Sequence, residues 1–319
     1  MQIAVSGANG FVGRALCRIL KNAGHGVTAL VRRPSCMEEG VVERVIPDDH
    51  FASVARGNPA IGPIDAFVHL AARVHVMQDA ATDPLAEYRA VNVKGTLDAA
   101  SAALQAGARR FLFVSSVKAL GEGEPGRPWR EDDQPAPTDP YGISKFEAEQ
   151  ALLAFGQTHG LEVAIVRPPL VYGPGVRANF LGLMRAIARG IPLPIGRVEA
   201  RRSMVYVDNL ADALRALATS SRPVHGVYHV TDDEDLTVAG MARAIGVALD
   251  RPARLIPVPV GLLRGVGRVT GKVAQVDRLT SPLRVGGVRM RAELDWTPPW
   301  TVAQGLAETA RAFNAGQTQ

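Results

Sequence analysis

The sequence predicts an α/β fold, a doubly wound parallel sheet with a smaller C-terminal lobe. In the N-terminal half, short β-rich runs alternate with longer helical patterns, as they do in repeated βαβ units. The run from Phe111 to Val114 is apolar at every position, which suits a strand buried on both faces. A glycine-rich turn at 7–13 separates the first β-rich run from the first helical pattern. Together these observations favour a parallel sheet covered by helices on both sides.

The elements of the sheet follow in chain order. The predicted strands are Gln2 to Ser6, Val27 to Val31, Val42 to Ile46, Asp65 to His69, Arg110 to Ser115 and Val163 to Arg167. The helical patterns between them are clearest at Val12 to Asn22, Leu85 to Ala106 and Ser144 to His159. Proline and glycine become frequent after Arg167, so the alternation ends there.

The sequence after Arg167 predicts further strands that rejoin the main sheet, followed by a C-terminal lobe. We expect a strand at Met204 to Val207, a helix at Asn209 to Ala218 and a strand at Val227 to Val230 to return to the main sheet. Further helices are predicted at Val238 to Leu249 and Val302 to Phe313, and a lid or core helix at Leu262 to Val276, with a surface helix that touches a membrane or partner as the alternative. The first domain is therefore 1–170 with 203–230, and the lobe is 171–202 with 231–319.

Composition excludes several classes of protein. The 319 residues are 47% hydrophobic and 21% charged, as in ordinary globular proteins. The net charge is +5, but the arginines are scattered and no nucleic-acid-binding motif accompanies them. No apolar run reaches the roughly 18 residues of a membrane span, and no leader precedes the first strand, so we expect a cytoplasmic protein.

Cysteine and histidine give little sign of special chemistry. Cys17 in a predicted helix and Cys36 in a predicted loop fit a reducing compartment. His225 and His229 lie on a predicted strand, which would hold their side chains some 13 Å apart, and we expect no metal site.

The glycine-rich turn predicts a Rossmann-type dinucleotide site. Gly7, Gly10 and Gly13 stand where the first strand ends and the first helix begins. Glycines at these places let the turn tighten and the backbone approach a pyrophosphate, which the helix N-terminus then holds. Within the same turn we expect cofactor contacts from Asn9, Phe11 and Val12.

The end of the second strand bears on which dinucleotide is bound. Many NAD-binding folds carry an acidic residue there for the ribose hydroxyls, whereas this chain has Arg32 and Arg33. Two guanidinium groups suit a 2′-phosphate, so NADP(H) is favoured and NAD(H) is the alternative. The competing interpretation is that one or both arginines simply face solvent.

Tyr141 and Lys145 predict a proton donor for hydride chemistry. Their spacing places a phenol and an ammonium group one helical turn apart on the same face. A free tyrosine ionises near pKa ~10, and a nearby positive charge favours the phenolate. We therefore expect Lys145 to lower the pKa of Tyr141, which would exchange a proton with a substrate oxygen.

Several motifs in a fixed order suggest a family. They are His69-Leu-Ala71-Ala72, Val91-Asn92 through Gly95-Thr96, Ser115-Ser116, Tyr141 with Lys145, and Arg167-Pro168 through Tyr172-Gly173-Pro174. With the three glycines, they resemble the extended short-chain dehydrogenase/reductase family of nucleotide-sugar epimerases, dehydratases and reductases. The resemblance runs nearly end to end.

The resemblance implies roles for individual residues. Ser116 would hydrogen-bond the substrate oxygen, Tyr141 would be the general acid and base, and Lys145 would bind the nicotinamide ribose. Further cofactor contacts are implied for Leu70, Ala71, Ala72, Asn92, Ser115, Pro168 and Leu170. The substrate, a nucleotide-diphosphate sugar, would meet Asn179, Arg202 and Arg278; a surface salt bridge is the competing role for each arginine. The family also implies a homodimer through the two long helices.

The chain departs from the family pattern at informative positions. The 4,6-dehydratases carry an Asp-Glu pair directly after the catalytic Ser or Thr, whereas Val117 and Lys118 stand here, which disfavours dehydration. Leu170 replaces a frequent asparagine, as in reductases. Our first hypothesis is an NADP(H)-dependent reductase of a nucleotide-linked 4-keto-6-deoxy sugar. The alternatives are an NAD-dependent nucleotide-sugar 4-epimerase, a hydroxysteroid-dehydrogenase-like reductase and a non-catalytic dinucleotide sensor.

Overall fold

The structure is a computed structural model that describes residues 1–35, 37–47, 50–57, 61–74 and 83–316. The predicted loop position of Cys36 lies outside these ranges. Cys17 lies in the first helix, where burial raises the pKa of its thiol to about 12.

The strands confirm the predicted α/β class. Their bounds are β1 (Gln2–Ser6), β2 (Gly26–Val31), β3 (Val41–Val45), β4 (Ala66–His69), β5 (Arg110–Val114), β6 (Glu162–Arg167), β7 (Leu170–Tyr172), β8 (Arg201–Arg202), β9 (Met204–Tyr206), β10 (Gly226–His229) and β11 (Leu236–Thr237). In the described residues, seven of these strands form one sheet in the order β10-β6-β5-β4-β1-β2-β3. Every pairing in it is parallel. All seven carboxyl ends therefore lie at one edge of the sheet.

Helices cover the sheet and build the C-terminal lobe. Their bounds are α1 (Phe11–Asn22), α2 (Ala52–Ala55), α3 (Pro84–Arg89), α4 (Gly95–Gln105), α5 (Pro140–His159), α6 (Ala178–Ala188), α7 (Val207–Thr219), α8 (Val238–Ala248), α9 (Val260–Val269), α10 (Val273–Thr280), α11 (Val288–Leu294) and α12 (Val302–Asn314). The described helices include none that is long and apolar enough to cross a membrane.

Two helices predicted as continuous are interrupted. The pattern at Leu85 to Ala106 becomes α3 and α4, joined by the π-helical turn Ala90–Lys94. The pattern at Leu262 to Val276 becomes α9 and α10, because the chain turns between them at Gly271 with a φ of 68°. Helical periodicity continues across both breaks, so the pattern alone did not reveal them.

One predicted strand takes a different partner. The expectation that the strand near Met204 returns to the main sheet is wrong, because β9 pairs in parallel with β7 in a separate two-stranded sheet. The place beside β6 is taken by β10, with Gly226 opposite Ala164. The intervening helix α7 packs on α1 and on β4 and β5. That residues 1–170 with 203–230 bind a dinucleotide, and that the lobe of 171–202 with 231–319 binds the substrate, remain predictions.

A buried ion pair fixes α5 against β6. Arg167 on β6 donates from Nε to Glu149 Oε1 at 3.0 Å and from Nη2 to Oε2 at 2.5 Å. Both side chains are almost wholly inaccessible to solvent. A buried charge that loses its partner is strongly unfavourable. This pair therefore holds α5 in a fixed position on β6.

Replacement of Glu149 should therefore destabilise the folded protein. We expect Glu149→Ala to lower the free energy of unfolding by about 3–5 kcal/mol, because Arg167 keeps its charge in a buried site. Urea denaturation measures the change. The matched control is Glu147→Ala, which breaks the exposed pair with Arg89 on the same helix and should cost much less. Equal losses in the two variants would contradict the assignment.

Candidate active site

A cavity of about 1130 Å³ opens at the carboxyl ends of β1, β2 and β4. This is the point at which the strand order reverses, where open α/β sheets bind ligands. The structure brings eleven of the predicted cofactor residues together there: Gly7, Asn9, Gly10, Phe11, Val12, Gly13, Arg32, Arg33, Leu70, Ala71 and Ala72. The cavity is also lined by Ile46, Pro47 and Val91, which the sequence did not point to, although Ile46 ends a predicted strand and Pro47 follows it.

The glycine turn is shaped for close approach of backbone atoms. Gly7 has a φ of +65°, and a Cβ there would lie 2.9 Å from the Ala71 nitrogen. A Cβ on Gly13 would lie 2.3 Å from the Gly7 oxygen, so α1 can start beside the turn only without a side chain. The first turn of α1 borders the cavity. The residues present thus fit the pyrophosphate of a dinucleotide.

A buried hydroxyl joins β1 to the end of β4 and to the loop that follows it. Ser6 Oγ accepts from the backbone N–H groups of Leu70 at 3.1 Å and Ala71 at 3.3 Å. Its own proton is therefore available for His69 Nδ1, 2.8 Å away. Burial lowers the pKa of His69 to about 3, so the ring is neutral and Nδ1 accepts. This contact fixes the loop that carries Leu70, Ala71 and Ala72.

Arg32 and Arg33 both line the cavity. Both are exposed, and they directly follow the last residue of β2, where the family often carries an acidic residue. Their position is compatible with a 2′-phosphate. Their selectivity for NADP(H) remains a prediction.

Ser116 and Tyr141 meet beyond the end of β5. The Ser116 hydroxyl lies close enough to that of Tyr141 to lower its pKa by hydrogen bonding. Ser116 caps the 3₁₀ turn Val117–Ala119, its Oγ accepting from the Lys118 N–H at 3.2 Å, and Tyr141 stands in the first turn of α5. The helix predicted from Ser144 begins earlier, at Pro140, because Asp139 caps it and proline suits the first helical position.

The ionisation of Tyr141 differs from the expectation. Burial of its hydroxyl group raises the pKa to about 12, and Ser116 opposes this by hydrogen bonding while the Asp139 charge adds to it. The expected lowering by Lys145 is wrong for this structure. Lys145 is itself buried, and burial lowers the pKa of its ammonium group to about 7. Desolvation therefore outweighs the attraction that the sequence spacing suggests.

Lys145 is held at the end of β5. Its Nζ donates to the Val114 carbonyl oxygen at 2.8 Å and lies 3.8 Å from the centroid of the Phe113 ring. Ser116 follows two residues after Val114, so the three predicted catalytic residues gather around one strand end. They are not among the residues that line the large cavity.

Asn92 links the cavity to this catalytic group. In the π-helical turn, it is buried and bonds both backbone groups of Arg73, accepting from its N–H at 2.9 Å and donating to its carbonyl at 3.1 Å. Its Nδ2 also donates to Ser144 Oγ at 3.0 Å, and Ser144 lies beside Lys145. Asn92 therefore ties the rim of the cavity to α5.

The remaining predicted cofactor residues lie close to Ser116 in the fold. The Pro168 carbonyl oxygen accepts from the Val117 N–H at 3.0 Å. Ser115 donates its N–H to the Val166 oxygen at 2.7 Å, while its buried hydroxyl has no partner in the described part of the chain. Leu170 is exposed on β7.

The predicted substrate residues are placed on the C-terminal side. Arg202 is half-buried and donates from Nη2 to the Ser281 carbonyl at 2.8 Å; burial lowers its pKa, and Glu122 counteracts this. Arg278 Nε lies 3.4 Å from Glu122 Oε2. The two arginines thus share one acidic neighbour, whereas Asn179 is exposed at the start of α6. A role in diphosphate binding stays a prediction for all three.

Comparison with known proteins identifies the class. Residues 3–230 match the NAD dependent epimerase/dehydratase family, and the chain belongs to that family, the extended short-chain dehydrogenases/reductases. The protein is thus an NAD(P)-dependent enzyme of the nucleotide-sugar kind. The recognition from sequence is confirmed.

Two relatives and one solved structure show how far the similarity extends. The chain is 40% identical over 314 residues to the UDP-glucose 4-epimerase of Vibrio cholerae, covering 98% of this chain and 95% of that protein. It is 28% identical over 246 residues to the N-acetyl-alpha-D-glucosaminyl-diphospho-ditrans,octacis-undecaprenol 4-epimerase of Escherichia coli O157:H7, covering 71% and 72%. The structure of MoeE5 in complex with UDP-glucose and NAD matches with a TM-score of 0.77 and 26% identity over 100% of both chains.

The close packing around Gly13 predicts the effect of a side chain there. We expect Gly13→Val to weaken the binding of a nicotinamide dinucleotide at least ~100-fold, because the new side chain would push α1 from the turn. Fluorescence titration with the reduced cofactor measures this. The control is Gly182→Ala in α6, where a Cβ meets open space and affinity should not change. Undiminished affinity in Gly13→Val would contradict the site.

Proposed function

We propose that this enzyme is an NAD-dependent UDP-sugar 4-epimerase, which inverts the configuration at C4 of a hexose linked to UDP. The observation that carries the proposal is the 40% identity, over nearly both full lengths, to a protein named as UDP-glucose 4-epimerase. The cavity beside the glycine turn and the Ser116–Tyr141 hydrogen bond support it, since they supply a dinucleotide site and a proton carrier.

The residues of the chain would act on one oxygen of the sugar. When bound, the nicotinamide cofactor supplies a hydride acceptor and donor. In its ionised form, Tyr141 takes the proton of the C4 hydroxyl, and as the neutral phenol it later returns that proton to the same oxygen, so one side chain serves both directions. Ser116 holds that oxygen through its hydroxyl and also hydrogen-bonds Tyr141. Lys145, one helical turn after Tyr141 on α5, would bind ribose hydroxyls of the cofactor.

The diphosphate and the reaction outcome depend on other residues. Arg202 and Arg278, with Asn179, bind the diphosphate of the substrate; a planar guanidinium can hold phosphate oxygens by two hydrogen bonds. For Arg278 this exchanges Glu122 for phosphate. Val117 and Lys118 leave no acidic pair after Ser116, so loss of water from the keto sugar is not supported.

A second candidate function is favoured by one observation. Arg32 and Arg33 border the cavity where an NAD enzyme often has a carboxylate. An NADP(H)-dependent reductase of a UDP-linked 4-keto-6-deoxy sugar would use the same Ser116, Tyr141 and Lys145. One experiment distinguishes the two functions. An epimerase interconverts UDP-glucose and UDP-galactose, or their N-acetyl counterparts, without net change of cofactor, whereas the reductase consumes one NADPH per keto sugar.

Removing the phenol tests the proposed enzyme. We expect Tyr141→Phe to lower kcat about 10²–10⁴-fold with a small change in KM, because the proton carrier is lost while the ring remains. Proton NMR of the sugar anomers measures turnover. The matched control is Tyr228→Phe on the edge strand β10, which removes a hydroxyl that bonds Glu293 on α11. Retained turnover in Tyr141→Phe would exclude the proposed role.

The two arginines give a test of cofactor choice. If they bind a 2′-phosphate, Arg32→Ala with Arg33→Ala should raise the Kd for NADPH at least tenfold and leave that for NADH within about twofold. Isothermal titration measures both constants. Equal changes in the two Kd values would show that the arginines do not bind the 2′-phosphate, and the reductase candidate would lose its support.

A further inference from the structure

Lys118 contacts both segments that carry the proposed catalytic hydroxyls. Its N–H donates to Ser116 Oγ at 3.2 Å. A Cβ on Gly142 would lie only 2.5 Å from the Lys118 carbonyl oxygen, so the 3₁₀ turn rests directly on the first turn of α5. Its ammonium group forms ion pairs with Glu122 and, at 3.6 Å, with Asp139 Oδ2.

Asp139 is the N-cap of α5 and lies two residues before Tyr141. Its Oδ1 accepts from the Gly142 N–H at 3.1 Å, which fixes the carboxylate against the helix start. A negative charge there stabilises the helix N-terminus. The same charge opposes the formation of a phenolate on Tyr141 and contributes to its raised pKa. The cap that positions Tyr141 therefore also hinders its ionisation.

The other groups around Tyr141 come from several elements. Tyr88 on α3 contacts its ring edge to face at 6.0 Å, and the Arg73 guanidinium lies 5.4 Å from the Tyr88 ring. Lys145 follows on α5 itself, where its own pKa is lowered by burial. The Glu149 carboxylate further along α5 is neutralised by Arg167, and the exposed Glu147 by Arg89. Lys118 forms an ion pair directly with the carboxylate at the helix cap.

We propose that Lys118 is a positioning residue of the active site, whose ammonium group balances the Asp139 carboxylate so that the cap of α5 can stay charged while Tyr141 loses and regains its proton. The proposal deepens the proposed function, on which its catalytic meaning rests. It concerns this chain in particular, because the dehydratases that it resembles carry an acidic pair at 117 and 118. Lys118 acts through Asp139 and does not itself touch the reacting oxygen.

The test is a direct titration of Tyr141, which needs no substrate. Protein with ¹³Cζ-labelled tyrosine is followed by NMR, and Tyr141→Phe identifies the signal. With a pKa of about 12, roughly a tenth of Tyr141 is ionised at pH 11. We expect Lys118→Met to raise this pKa by roughly one pH unit and so reduce the ionised fraction about tenfold. Lys118→Arg, which keeps the charge, should restore the original fraction.

A double-mutant cycle separates the proposed route from a direct effect of the Lys118 charge. Asp139→Asn keeps a good N-cap but removes the carboxylate, and should lower the pKa of Tyr141. In that background, Lys118→Met should have less than half of its original effect. Lys94→Met is the matched control, because it breaks another lysine ion pair of i, i+4 spacing and should leave the signal unchanged. Circular dichroism confirms that each variant is folded.

Two results would overturn the proposal: an unchanged titration in Lys118→Met, or the same shift with and without the Asp139 carboxylate. Turnover adds an independent readout. In Lys118→Met, kcat near neutral pH should fall about tenfold, the pH profile should move to alkaline pH, and KM should stay within about twofold. If the protein lacks 4-epimerase activity, the NMR titration still decides the role of Lys118, so the two failures are distinguishable.

Discussion

Close approach of backbone to backbone at the carboxyl edge of the sheet is the constraint on which this structure depends. The start of α1 can lie against the glycine turn only because Gly13 has no side chain, and the 3₁₀ turn after Ser116 can rest on α5 only because Gly142 has none. The first contact shapes the cofactor cavity. The second brings a serine at a strand end within hydrogen-bonding reach of a tyrosine at a helix start. Neither contact tolerates a methyl group without displacement of the chain.

Desolvation is the second common theme of the site. Burial disfavours the charged forms of Tyr141 and Lys145. It raises the pKa of Tyr141 to about 12 and lowers the pKa of Lys145 to about 7. An acid and a base that each resist ionisation depend strongly on neighbouring charges and hydrogen bonds. That dependence explains why a carboxylate at a helix cap, and the lysine paired with it, can influence proton transfer.

Much of the fold and of the site followed from local sequence. Period and composition located the strands of the main sheet, and parallel pairing then placed their carboxyl ends together. The sequence assigned the glycine turn and Arg32 to a dinucleotide site, the family resemblance added Leu70, and these residues all line one cavity. The position of β9 could not be predicted, since the pattern of a short apolar strand does not say which edge it joins.

The direction of the Tyr141 shift could not be read from sequence either. Spacing on a helix places Lys145 near Tyr141, but the loss of solvent around both groups comes from β5, α3 and the turn after Ser116. The contact of Lys118 with Asp139 joins residues 21 positions apart across a loop without a periodic pattern. Such contacts depend on tertiary packing, which local motifs do not encode.

The π-helical turn at Ala90–Lys94 has a consequence for how the two halves of the site stay aligned. Such a turn holds one residue more than regular helical geometry accommodates, and deleting that residue would restore an unbroken α-helix. The deletion would also rotate the preceding helix by about 100°, since each residue of an α-helix advances by that angle. Asn92 could then no longer reach both Arg73 and Ser144. The extra residue of the π-helical turn thus sets the direction of the Asn92 side chain, and through it connects the dinucleotide cavity to the helix that bears Tyr141.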